Sequence, residues 1–167
     1  MDLELILRQA EEHIVISKLL GNLGGNLGHL DIAVFLYDKV LELDPKDSIA
    51  YTSRGHAFNC LGKFAEAVTD LTTAIELDPD HPGAYSNRGN SHRLMGDAKS
   101  AEIDYQQAFT IFRQNPRPEV HDYRYAIRAE RGLVKLGLLE PGIIELTALQ
   151  EGVITPDQLV SFYRHEK

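Results

Sequence analysis

A chain of 167 residues with 43% hydrophobic and 25% charged residues has the composition of a folded domain with its own core, not of a disordered segment. Its formal net charge of −8, from 17 Lys and Arg against 25 Asp and Glu, argues against nucleic-acid binding, which needs clustered cations to neutralise phosphate. One cysteine, Cys60, cannot form an internal disulfide, and no apolar run reaches the roughly 18 residues of a membrane span, so a cytoplasmic protein is expected.

One pattern recurs every 34 residues: Gly21, Gly55 and Gly89 at one phase, Gly28, Gly62 and Gly96 at a second, and Ala33, Ala67 and Ala101 at a third. A period of this length indicates stacked helix-turn-helix units. The opening, MDLELILRQAEEH, breaks its apolar residues with acids and does not read as a secretory leader. The first copy runs from Ile14 to Asp47 and closes at Pro45. Ser17 stands at its aromatic position, and Gly24 with Gly25 falls inside its first helix, where each glycine costs about 1 kcal/mol relative to alanine. That helix is expected to be the softest of the series.

The second copy, Ser48 to His81, is the fullest. Tyr51, Gly55, Phe58, Gly62, Phe64, Ala67, Leu71, Ala74 and Pro79 alternate small and bulky side chains so that two antiparallel helices approach closely. Gly62 suits the left-handed residue that ends the first helix, and Pro79 follows the end of the second. The third copy, Pro82 to Asn115, keeps Tyr85, Gly89, Gly96, Ala101, Tyr105 and Ala108. It places His92 where Phe58 stood and Arg113 where the closing proline is due, so its second helix should run on to about Asn115, before Pro116 and Pro118. Residues 122–136 (DYRYAIRAERGLVKL) form a capping helix over the last apolar face. Its register is open by the sequence, because Ala129 and Gly137 imply different phases. The array thus covers 1–137. Residues 138–167 form a tail with helices from about Pro141 to Glu151 and from Pro156 to about His165, the latter opened by a capping box, Thr155 to Gln158. Its apolar residues, among them Ile143, Leu146, Leu159 and Phe162, would cover the end of the array or join two copies.

On these residues the chain resembles the tetratricopeptide-repeat family. The resemblance implies an all-α, right-handed superhelical solenoid of three repeats plus a capping helix. It implies a non-enzymatic protein-protein interaction scaffold that holds a partner peptide in the concave groove lined by the first helix of each repeat. In that family, repeat positions 2, 5, 9 and 12 face the groove, since spacings of three and four share one side of a helix. Here they read Val15, Lys18, Asn22 and Gly25, then Ile49, Thr52, His56 and Asn59, then Gly83, Ser86, Asn90 and Arg93. None is acidic, which fits a ligand held by amides and by its own carboxylates.

A subclass of the family clamps the terminal carboxylate of heat-shock chaperones with a Lys–Asn pair, an Asn and a basic pair from three successive repeats. Lys18 and Asn22 match the first pair, but Ser53, Gly83 and Asn87 do not complete it. One repeat further on, Asn87 supplies the amide and, in one phase of the capping helix, Arg124 and Arg128 the basic pair, while Thr52 and His56 fill the first pair's places. The candidate groove contacts are therefore Lys18, Asn22, Thr52, His56, Asn59, Asn87, Asn90, Arg93, Arg124 and Arg128.

The repeated Arg54 and Arg88 are read as structural, bonding the acidic repeat ends at Asp44 and Asp78. The run GNLGGNLG at Gly21 to Gly28 lacks the Lys-Ser/Thr ending of a phosphate loop. The seven histidines show no i, i+4 pair and no Cys at zinc spacing, so no metal and no cofactor are expected. Cys60 reads as a small packed residue. Self-association through the tail is the second functional reading.

Overall fold

The computed structural model describes residues 3–20, 27–115 and 120–138. They hold seven helices and no strand: α1 (Leu3–Leu20), α2 (Leu27–Leu43), α3 (Ser48–Cys60), α4 (Phe64–Leu77), α5 (Pro82–Leu94), α6 (Ala98–Gln114) and α7 (Val120–Lys135). Contacts divide the chain into two units, residues 1–79 and 80–167.

In the first unit α1 packs on α2, α2 on α3 and α3 on α4. The helix α1 begins at Leu3, eleven residues before the repeat boundary at Ile14. The reason lies in Ile6, Ala10 and Ile14, which recur at every fourth residue and are all buried, giving the segment one apolar face. These three join Ala33, Tyr37 and Val40 of α2 and Ala50 and Ala57 of α3 in one core. Asp47 starts α3 by accepting a hydrogen bond from the Ala50 N–H at 2.9 Å, which satisfies one of the open donors of the first turn. The pair α3–α4 closes around the absent side chain of Gly55, whose Cβ would lie 2.7 Å from Leu71 Cγ.

In the second unit α5, α6 and α7 each touch the other two. Pro82 opens α5, where its missing N–H costs nothing, and Asp97 caps α6 through the Ser100 N–H at 3.1 Å. The Ser100 hydrogen bonds, side chain first and then backbone, hold the Asp97 carboxyl below the usual carboxylate range. Because Arg113 replaces the closing proline, α6 runs to Gln114, three residues beyond the matching end of α4. Tyr105 of α6 is the pivot of the core. Its ring lies between Gly89 of α5 and Gly132 of α7, and a Cβ on Gly132 would come within 2.2 Å of it. Ala101, Ala108, Ala129 and Leu133 complete that core.

The turn after α7 settles the register that the sequence left open. Gly137 has φ 73°, as Gly96 has φ 84° after α5, and the Leu138 N–H returns to the Leu133 carbonyl at 2.9 Å, the pattern of a glycine-terminated helix. Position 124 therefore corresponds to 83, and 128 to 87. The expected division after Gly137, the tail helices and the breakers at Pro116 and Pro118 lie at or beyond the edge of the described residues.

Candidate functional site

The two repeated arginines hold the frame, through partners other than those expected. Arg54 of α3 donates from Nε and Nη2 to both oxygens of Asp70 on α4, each at 2.7 Å, and from Nη1 to Asp38 of α2 at 2.6 Å. Tyr51 and Phe58 flank its guanidinium at 5.5 and 6.0 Å. Arg88 of α5 repeats the fork on Asp104 of α6 at 2.9 and 2.7 Å. Asp44, the acid expected opposite Arg54, is not its partner, because a side chain in mid-helix reaches across to the neighbouring helix more readily than along to its end. Bidentate pairing of this kind fixes orientation as well as charge. The hydrogen bonds that Arg54 donates to Asp70, the largest contribution, raise the Arg54 pKa further above its already high ordinary value.

The expected groove contacts divide into buried and accessible groups. Thr52 is 4% exposed and donates to the Ser48 carbonyl at 2.9 Å; Asn59 is 9% and Asn87 3% exposed. These three candidate contacts are buried. His56 is half-buried, with its Nε2 at 3.9 Å from Cys60 Sγ. Cys60, expected to pack, is exposed in the last turn of α3. Ile49 is 62% exposed. Lys18 falls in the last turn of α1, and Asn22 lies outside the described residues.

In the second unit the site residues converge. Arg128 of α7 donates from Nη1 to Oδ1 of Asn87 on α5, so the buried amide orients the guanidinium. One turn earlier Tyr125 covers Gly83, whose Cβ would meet the ring at 2.6 Å, and His81 meets the same ring edge-on with centroids 5.6 Å apart. The contacts 83 to 125 and 87 to 128 run in the same direction, so α5 and α7 lie parallel. Asn90 and Arg93 continue along α5, half-buried, with Arg93 Nη2 donating to Asn90 Oδ1 at 2.9 Å. Arg124 is exposed. Two pairs of candidate residues are thus in contact, Asn87 with Arg128 between α5 and α7 and Asn90 with Arg93 along α5.

Two further cations escaped the sequence reading. Arg131 and Lys135 follow Arg124 and Arg128 at spacings of three and four, the spacing that puts residues on one side of a helix. Charge is also divided unevenly: residues 1–79 carry thirteen Asp and Glu against six Lys and Arg, and residues 80–167 twelve against eleven. No group of three or more His, Cys, Asp or Glu able to hold a metal ion occurs among the described residues. Nor is any described helix long and apolar enough to cross a membrane.

Comparison with known proteins places this arrangement. A profile described as "TPR repeat" matches residues 55–96. Two described as "Tetratricopeptide repeat" match residues 36–69, and 19–47 with 82–115. No curated protein matches the chain. Among solved structures, the second TPR domain of human RPAP3, in complex with the HSP70 peptide SGPTIEEVD, superposes with a TM-score of 0.58 at 18% identity, covering 81% of this chain and 98% of that one. The first TPR of Spaghetti (RPAP3), bound to the HSP90 peptide SRMEEVD, gives 0.51 at 25% identity, with 77% and 95% covered. PcrH, in complex with the chaperone-binding region of PopD, gives 0.59 at 19% identity, with 76% and 90% covered. With a 34-residue period, helix pairs that close around small residues and family matches running unbroken from residue 19 to 115, the chain belongs to the tetratricopeptide-repeat family.

Proposed function

We propose that this protein is an interaction module whose α5–α7 face captures a carboxylate-bearing peptide of a partner protein. The observation that carries the reading is the Arg128–Asn87 contact. It ties a guanidinium to a buried amide, so that the cation is oriented before a ligand arrives and less freedom is lost on binding. Arg124, one turn away and exposed, supplies a second donor fork of the kind that matches a carboxylate. Asn87 acts here as the anchor of Arg128, while Asn90 and Arg93 offer further polar contacts along α5. The Spaghetti domain, 25% identical, was solved with an acidic peptide ending in EEVD, which supports an acidic ligand for this face.

The test is calorimetric titration of the purified chain with SRMEEVD and with its scrambled, amidated and acid-free counterparts. Replacing Arg124 and Arg128 together by Gln should weaken binding by about 2 to 4 kcal/mol, because hydrogen bonds to charged groups contribute about 1.5–3 kcal/mol each and are not fully additive. The helical circular dichroism should not change. Equal affinity for the acid-free peptide, or for the double variant, would refute the reading.

A further inference from the structure

We infer that the anion-binding surface does not stop at Arg128 but continues along α7 to Lys135, so that the partner segment carries two acidic groups held by two separate cation pairs. The inference rests on the reading just given and extends it. At about 100° per residue, Arg124, Arg128, Arg131 and Lys135 fall within an arc of roughly 60° on one side of the helix, over a rise of about 16 Å. Arg124 and Lys135 are exposed and Arg128 half-buried, whereas Arg131 buries its Nη2 and adds charge to the stripe without facing solvent fully. Of the helix's two acids, Asp122 falls about 160° round the helix from Arg124 and Glu130 is buried at 1% exposure, so neither interrupts the stripe. In an acidic chain, four cations aligned over three turns form a local field opposite in sign to the whole.

The register fixes where the second pair lies. Because Gly83 meets Tyr125 and Asn87 meets Arg128, Arg93 of α5 stands level with Val134 and Lys135 of α7. Arg93 and Lys135 therefore make a second cation pair beyond the pair formed by Arg124 and Arg128. From Arg128 to Lys135 is seven residues of helix, a rise of about 10 Å. An extended peptide advances about 3.3 Å per residue, so acids three residues apart would reach both pairs. Charge complementarity names the occupant as an acidic protein segment. A nucleic acid would also need basic residues well beyond these and stacking rings, whereas Tyr123 is buried and Tyr125 is turned onto Gly83.

The experiment uses fluorescein-labelled, C-terminally amidated peptides of equal charge, GSEGGEGS with spaced acids and GSEEGGGS with adjacent ones, titrated with the full chain by anisotropy. The spaced peptide should bind about three- to fivefold more tightly, as expected for one added exposed ion pair. Lys135→Gln should erase that advantage and leave the adjacent-acid peptide unchanged, while Arg128→Gln should weaken both. Arg93→Gln serves as a second variant at the same end. A spaced-acid advantage that survives in both the Lys135 and Arg93 variants, or no advantage at all alongside Arg128-dependent binding, overturns the second subsite and leaves the first intact. Loss of all Arg128 dependence removes the underlying reading as well. Binding that appears only when the chain self-associates in sedimentation also overturns it, since the occupant would then be a second copy.

Discussion

Moved by 34 residues, α3 and α4 lie on α5 and α6, and the two pairs keep one set of positions while changing another. Ala50 and Ala84, Gly55 and Gly89, Ala67 and Ala101, Asp70 and Asp104, Ala74 and Ala108 are retained, all buried apart from the arginines that fork onto the acids. Elsewhere on the first helix of each pair Ile49 becomes Gly83, Ser53 becomes Asn87, His56 becomes Asn90 and Asn59 becomes Arg93. Retained residues lie between the helices, where a methyl group more or less is felt. Two of the changed positions, Gly83 and Asn87, meet a third helix. In the second pair that helix is α7, and its arginines turn an amide-rich edge into a cationic face.

The largest expected effect tests whether the two forks are equivalent. Arg54 and Arg88 fork alike onto Asp70 and Asp104, both buried. Asp70→Ala and Asp104→Ala should each cost about 3–5 kcal/mol in urea unfolding, the range for breaking a buried pair. A much smaller loss in one variant would show that its fork does not hold its helix pair. Next in size, Ala67→Leu and Ala101→Leu should each destabilise by about 1–3 kcal/mol through overpacking; an unchanged melting midpoint for either would mean that its pair is not closed at that position.

Smaller effects come from the caps. Asp47→Ala should lower stability by about 1 kcal/mol. Asp97 can be tested with pH alone. Its carboxyl titrates below the ordinary value in the folded chain, so its contribution is complete above the unfolded-state value of about 4 and disappears as pH falls through the folded value. The difference in melting temperature between the wild type and Asp97→Ala should accordingly shrink on acidification. A gap that widens as pH falls would reverse the sign.

The frame was legible in the sequence because its constraints are local and periodic: Gly62 and Gly96 take the positive φ that ends a helix, and the alanines sit where pairs close. The start of α1 was not, because Ile6 and Ala10 lie outside the period and are recruited by packing on α2. The acids opposite Arg54 and Arg88 were misassigned because their partners stand sixteen residues away, on a facing helix, at a separation that no single-helix spacing reveals. The burial of Thr52 and Asn59, singled out by the stripe, and of Asn87, singled out by the clamp register, is not legible in the sequence, because neither pattern says how deeply neighbouring helices cover a position. Arg131 and Lys135 could have been found, since the spacing that singled out Arg124 and Arg128 continues through them.

Ligand capture is expected on the face that differs between the two pairs, and amide chemical shifts report that location directly. Titrating the isotopically labelled chain with GSEGGEGS should move the signals of Asn90, Arg93, Arg124, Arg128 and Lys135 together and saturably, with those of Thr52, His56 and Asn59 nearly still. Saturable shifts confined to α3, or spread evenly over both units, would contradict it.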